Sequence, residues 1–182
     1  GGPDVDAAER ARAEELPRAV AGLIAGKNVV GFYHGRMEFG PRALGARSIL
    51  ADPRTAEMKD ILNEKIKHRE QFRPFAPAVL AERAGEYFEL GCADAPYMLI
   101  VGEVRPEKRG VIPAVTHADN TARPQTVRRD SNPRYYDIIA EFEKITGVPV
   151  IINTSFNVRG EPIVLTPSQA YRCFATTDMD YV

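Results

Sequence analysis

Three glycines and three arginines crowd one short string, Gly35-Arg-Met-Glu-Phe-Gly-Pro-Arg-Ala-Leu-Gly-Ala-Arg47. Glycines let backbone amides come close to a ligand, and guanidinium groups grip anionic oxygens two at a time, so this composition suits phosphate or carboxylate. It is neither the Walker A pattern nor the dinucleotide fingerprint, and it equally fits an arginine-rich surface loop with glycines at its turns. Further basic segments follow: Lys67-His-Arg69, then Arg73, and Arg123 within Asp119-Asn-Thr-Ala-Arg-Pro124. From Arg36 to Arg73 nine basic residues stand against six acids, although the whole chain has 24 basic and 25 acidic residues and a net charge of -1. That balance removes the global electrostatic argument for nucleic acid or an anionic membrane, so any anion site must be local. Of the 24 basic residues 18 are arginine, the side chain with the planar fork that matches carboxylate and phosphate.

A second kind of chemistry lies in Asn153-Thr-Ser-Phe-Asn157, which follows the most apolar run of the chain, Val148-Pro-Val-Ile-Ile152. Open sheets place ligands at the ends of buried strands, and Asn, Thr and Ser offer both donors and acceptors there. A capped strand end before the turn at Arg159-Gly160 fits the same residues. Ser155, His117 and Asp119 have the types of a hydrolytic triad, but the Gly-x-Ser-x-Gly elbow is missing and the last two are too close in sequence to hold distinct roles. His34, His68 and His117 with Asp119 could ligate a metal, yet no His-x-x-x-His or Cys pairing supports it. Cys92 and Cys173 lack Cys-x-x-Cys spacing and read as buried thiols rather than a disulfide or a zinc knuckle.

The elements that must position these residues follow from periodicity and punctuation. Gly1-Gly2-Pro3 reads as a scar or linker, and residues 4–15 suit an exposed helix. Pro17 opens a second helix to about Ala25, with Val20, Leu23 and Ile24 at helical spacing and Gly26 closing it. Residues 28–33 read as a strand feeding the polar loop 34–45. Asp52-Pro53 predicts a helix start, with Met58, Ile61, Leu62 and Ile66 forming one apolar face as far as about His68 and with Lys59, Lys67 and Arg69 off that face. Residues 73–80 are extended by their prolines, 97–104 and 126–128 read as strands, 133–145 as a helix stopped by Gly147, and 148–152 as a strand. Thr166-Pro167 starts a last helix to about Ala175, and Tyr181-Val182 look like the opening of a strand that the chain does not complete. At 182 residues and 20.1 kDa, with 44% hydrophobic and 27% charged residues, the chain suffices for one substantial core. The mixture predicts a single α/β domain on the α+β border with a mixed sheet. Runs long enough for a membrane span or a signal h-region are absent, so a cytoplasmic location is expected.

The strings Gly35 to Leu50, Asn63-Glu-Lys-Ile-Lys-His-Arg-Glu-Gln-Phe-Arg-Pro-Phe-Ala-Pro77 and Asn153-Thr-Ser-Phe-Asn157 together resemble the C-terminal domain of the NodU/CmcH carbamoyltransferases, from about Val29 onward. The resemblance implies a YrdC-like domain, a twisted mixed sheet flanked by helices, over residues 27–182, with 1–26 as linker and N-terminal helices. It implies a domain that makes carbamoyladenylate from carbamoyl phosphate and ATP with Mg²⁺. Transfer to a substrate hydroxyl would belong to an N-terminal domain of actin-like ATPase fold, absent from this chain and carrying Fe²⁺ or a similar metal. Such enzymes act in nodulation-factor and antibiotic biosynthesis. Carried over, the phosphate and adenylate contacts fall on Arg42, Lys67, Arg123, Asn153 and Ser155. The Lys-x-Arg and Ser-x-Asn pairs of YrdC-like proteins look similar to Lys67 with Arg69 and Ser155 with Asn157. Arg42, Lys67 and Arg123 would be the catalytic cations, and Ser155 a hydrogen-bonding residue rather than a nucleophile. Two rivals stand beside this reading: a non-catalytic nucleotide-binding module, and an enzyme of RNA modification that makes threonylcarbamoyladenylate from threonine, bicarbonate and ATP.

Overall fold

The computed structural model describes residues 15–68 and 74–182. The expected helix before Glu15 lies outside them, as do Arg69 and Arg73. The apolar run after Gly147 becomes β8, Val150–Ser155, with Val150, Ile151 and Ile152 wholly buried at the middle of a five-stranded sheet. Its neighbours are β2 (Arg47–Ala51) on one side and β3 (Ala76–Leu80) on the other, both antiparallel to it. β1 (Val30–Tyr33) flanks β2 antiparallel, and β7 (Gln125–Val127) flanks β3 in parallel, giving the order β1-β2-β8-β3-β7. The sheet is therefore mixed, as the residue pattern predicts.

Two helices cover this sheet. α1, Leu16–Ala25, starts at a proline tolerated in the first turn and buries Val20, Ala21 and Ile24. α4, Pro133–Thr146, is capped by the Asn132 side chain, which accepts from the Tyr135 amide at 3.3 Å, and it ends at Gly147 in the left-handed region. Its inward stripe of Tyr135, Ile138, Ile139 and Phe142 packs on α1, β3 and β8. Those four fully buried side chains alone stabilise the fold by several kcal/mol, at roughly 1.5–3 kcal/mol for each large apolar side chain. α5, Pro167–Ala175, begins with a capping box between Thr166 and Gln169 and lies beside β1.

Three expectations are corrected. Asp52 is not a helix cap: fully buried, its carboxylate receives the Arg54 guanidinium, at 2.6 Å from Nη2 to Oδ2, and α2 begins only at Glu57 (Glu57–Leu62). Residues 97–104 do not form one strand, because Met98 takes a positive φ of 54° and leaves Tyr97, Leu99 and Val101 exposed. Only Gly102–Val104 pairs, as β5 between β4 (Phe88–Glu89) and β6 (Thr121–Ala122), in a small antiparallel sheet that periodicity does not reveal because its strands are so short. The preceding short helix, α3, spans Ala84–Tyr87. Cys173 is buried, whereas Cys92 is exposed and turned to the Asp94 carbonyl. At the chain's end Tyr181 does begin to pair, forming a single parallel bridge with Val30.

Candidate functional site

The glycine-arginine loop, 34–46, is held at its base by Arg47. Its guanidinium is 3.6 Å from the Tyr33 ring centre and donates to the carbonyls of His34 (2.8 Å), Ala46 (2.7 Å) and Gly35 (3.1 Å). At 2% exposure it is structural: an arginine whose acceptors are backbone oxygens of its own loop. Glu38 folds the loop on itself, one carboxylate oxygen accepting from the amides of Leu44 (2.9 Å) and Ala46 (2.8 Å). Burial raises the pKa of Glu38 against the pull of those amides and of Arg47. Gly45, at φ 113°, lies flat on the Tyr135 ring, and any Cβ there would collide with it.

The loop's far side rests on two buried amides. Asn153 Nδ2 donates to the Ala43 carbonyl (3.0 Å) and to Gln125 Oε1 (2.8 Å), while Gln125 Nε2 donates to the Leu44 carbonyl (2.8 Å). β8 continues past Ile152 because Asn153, Thr154 and Ser155 pair with Leu50, Ile49 and Ser48 of β2, and the loop accepts from the Asn153 amide NH₂. The tip of the loop brings Arg42 to Arg123. Together with Pro41, Ala43, Met98, Asn153, Thr154 and Ser155 they line a cavity of about 110 Å³. Neither arginine makes an ion pair or hydrogen bond among the described residues, and Arg123 Nε is buried without a partner. Burial and then the charge of Arg42 lower the Arg123 pKa. Two partly buried guanidiniums at one cavity, without a described carboxylate beside them, have the chemistry that suits an anion.

Lys67 adjoins the cavity through Ser155, one of its lining residues. The sequence places it off the apolar helix face, but α2 passes into a π-turn over Asn63–Lys67, which ends at His68 in the left-handed region. The wider turn shifts the register of its last residues, and Lys67 ends 6% exposed. Its ammonium donates to the carbonyls of Ser155 (2.6 Å) and Asn157 (2.9 Å) and to Asn157 Oδ1 (2.9 Å), with Ser155 Oγ at 3.4 Å. Ser155 Oγ donates to Asn157 Oδ1 at 2.7 Å. Arg42, Arg123, Asn153 and Ser155 thus line one cavity, Lys67 and Asn157 adjoin it through Ser155, and Arg69 lies outside the described residues.

The triad does not assemble. His117 Nδ1 faces Thr121 Oγ1 at 3.0 Å, and Asp119 accepts from the same threonine's amide and hydroxyl. No group of three or more His, Cys, Asp or Glu that could hold a metal occurs among the described residues, and no described helix is long and apolar enough to cross a membrane. A larger hollow of about 920 Å³ lies between α1 and α4, but its lining acids and cations balance, with Arg129 paired to Asp137, Lys144 paired to Glu141, and Glu15 against Arg18 in number. The small cavity, with unmatched cations, is the better candidate. Sequence reasoning missed Glu38 and Gln125. Glu38 left a signal, as the one acid in a loop of arginines; Gln125 left none, because its role depends on which strand lies beside β3.

Comparison with known proteins gives the family and the fold. Residues 21–182 match the family described as carbamoyltransferase C-terminus, and the chain belongs to that family. Nodulation protein NolO of Bradyrhizobium diazoefficiens is 51% identical over 171 residues, covering 93% of this chain and 31% of that protein. Nodulation protein U of Sinorhizobium fredii is 46% identical over 154 residues, covering 85% and 27%. The chain spans about a third or less of the length of these relatives. Among solved structures, full-length HypF in a phosphate- and nucleotide-bound form superposes with a TM-score of 0.60 at 18% identity, over 88% of this chain and 20% of that one, a likeness of fold.

Proposed function

We propose that this chain is the carbamoyl-activating domain, over residues 27–182, of a cytoplasmic O-carbamoyltransferase. It binds ATP and carbamoyl phosphate and forms carbamoyladenylate, which an N-terminal domain of the same protein transfers to a hydroxyl in natural-product or nodulation-factor-type biosynthesis. One observation carries the reading: Arg42 and Arg123 meet at a cavity beside Asn153 and Ser155 with no anion of the described chain to neutralise them. Family membership and the phosphate and nucleotide held by the HypF structure support the choice of anion.

The chemistry asks for charge and position. Water takes the phosphoryl group of carbamoyl phosphate, breaking a P–O bond and leaving carbamate and inorganic phosphate. A carbamate oxygen then bonds to the α-phosphorus of ATP as the bridge to the β-phosphate breaks and pyrophosphate departs. Both reactants are anions, so fixed donors must offset their repulsion and hold them in line. Arg42 and Lys67 neutralise phosphate, Arg123 holds ATP or carbamoyl phosphate, and Asn153 and Ser155 orient the carbamoyl end and the ribose-phosphate. Asn157 positions the Lys67 ammonium, and Arg69 remains a further candidate contact. Mg²⁺ is expected with ATP; the described side chains offer it no cluster of ligands, and no step here passes through it. Fe²⁺ or a similar metal is assigned only to the N-terminal domain. Around the cavity Phe39, two residues before Pro41, and Tyr97 and Leu99, beside Met98, expose large apolar surfaces that suit cover by that domain.

The test is pyrophosphate release from ATP and Mg²⁺ with and without carbamoyl phosphate, with threonine plus bicarbonate as control. Release that needs carbamoyl phosphate, and that falls on the order of 100-fold in Lys67→Ala and Arg42→Ala, is expected. Dependence on threonine instead would move the chain to the RNA-modification reading. ATP binding without turnover, even with the N-terminal domain added, would leave a binding module.

A further inference from the structure

The cavity is cationic, yet one of its buried groups is an acceptor with nothing to accept. Asn153 is 1% exposed and its Oδ1 has no hydrogen-bond partner. Which end of each amide is oxygen follows from neighbours that can only accept. The Leu44 carbonyl requires the NH₂ of Gln125, which leaves Gln125 Oε1 facing Asn153. That oxygen and the Ala43 carbonyl both require the NH₂ of Asn153, so Oδ1 must be the atom left over. Turning the Asn153 amide over would set oxygen against oxygen twice. The buried pair, with Gln125 at 4% exposure, is therefore locked in one sense by two backbone carbonyls of the arginine loop.

We propose that Gln125 is a specificity-determining positioning residue: it locks Asn153 with its carbonyl oxygen as a buried acceptor, so that the cavity selects an acyl phosphate bearing an N–H donor, a carbamoyl group, over its methyl isostere, an acetyl group. The inference rests on the proposed binding of carbamoyl phosphate. Carbamoyl and acetyl phosphates share shape and charge, so the arginines cannot separate them. An acceptor without a partner can, because a methyl group leaves it desolvated and unbonded, whereas an NH₂ satisfies it.

The stable mimics phosphonoacetamide and acetonylphosphonate differ only in NH₂ against CH₃, and calorimetric titration of the 182-residue chain gives both dissociation constants. The chain should bind the amide about 10- to 100-fold more tightly than the ketone. Gln125→Met removes one of the two acceptors that fix the Asn153 amide and leaves the Ala43 carbonyl alone to hold it, so that ratio should fall. Should Gln125→Met fail to fold by circular dichroism, Gln125→Glu keeps an acceptor for Asn153 Nδ2 and should keep the preference. Equal binding of both mimics by the unmodified chain overturns the selectivity and leaves the anion site standing. Binding of neither overturns the site and the inference with it. Full preference in Gln125→Met, or parity in a folded Gln125→Glu, overturns the role of Gln125.

Discussion

Arg42 and Arg47 belong to the same string, and the protein treats them in opposite ways. Arg47 lies at the loop's base under three carbonyls and against the Tyr33 ring, whereas Arg42 stands at the tip beside Arg123 with no described acceptor. Side-chain type is shared; the supply of oxygen atoms is not. At the base the loop provides its own acceptors and gains rigidity, and at the tip it withholds them and gains a place for an anion. In the proposed function, binding is prepared by the rigid half of the loop and performed by the unsatisfied half.

That contrast can be broken from either side. Arg47→Ala should give the largest effect, leaving the carbonyls of His34, Gly35 and Ala46 without their donor and costing about 3 kcal/mol or more of unfolding free energy in urea. A loss of less than about 1 kcal/mol would place Arg47 among the functional arginines instead. Arg42→Ala and Arg123→Ala should do the reverse: a fall on the order of 100-fold in carbamoyladenylate formation with the melting temperature preserved or slightly raised, because two facing cations no longer repel. A marked drop in melting temperature would erase the distinction between tip and base.

A finer comparison uses pH. Burial raises the Glu38 pKa, so the folded loop holds a proton more tightly than the unfolded chain. Its contribution to stability is full below the ordinary carboxylate pKa and declines as pH rises through the raised value. Glu38→Gln should remove that decline from melting curves taken between about pH 4 and 7, and an unchanged slope would show that Glu38 does not titrate there. The smallest effect is expected at the matched surface pair Arg129 and Asp137, where Asp137→Asn should change stability by less than about 1 kcal/mol and leave carbamoyladenylate formation unaltered.

Much of this was legible in the chain itself, and the exceptions share a cause. α1, α4 and α5 follow from proline, cap and glycine positions, and β8 from its unbroken apolar run, because each is specified by neighbours in sequence. Its motif marks Lys67, but a regular helix would carry the side chain off the apolar face, whereas the π-turn, a tertiary adjustment, buries its ammonium against Ser155 and Asn157. Asp52 reads as a cap in the sequence, whereas its buried carboxylate pairs with the half-buried Arg54. Gln125 could not be recognised at all, because its meaning lies in the bonds to Leu44 and Asn153, which only the sheet order brings within reach.

The central claim, that the unmatched arginines form the phosphate site, is tested most directly by a crystal structure of the chain with α,β-methylene-ATP, whose α–β bridge cannot be cleaved. The account predicts phosphate oxygens within hydrogen-bond distance of the Arg42 and Arg123 guanidiniums. A nucleotide seated with its phosphates in the hollow between α1 and α4, and neither arginine in contact, would contradict it.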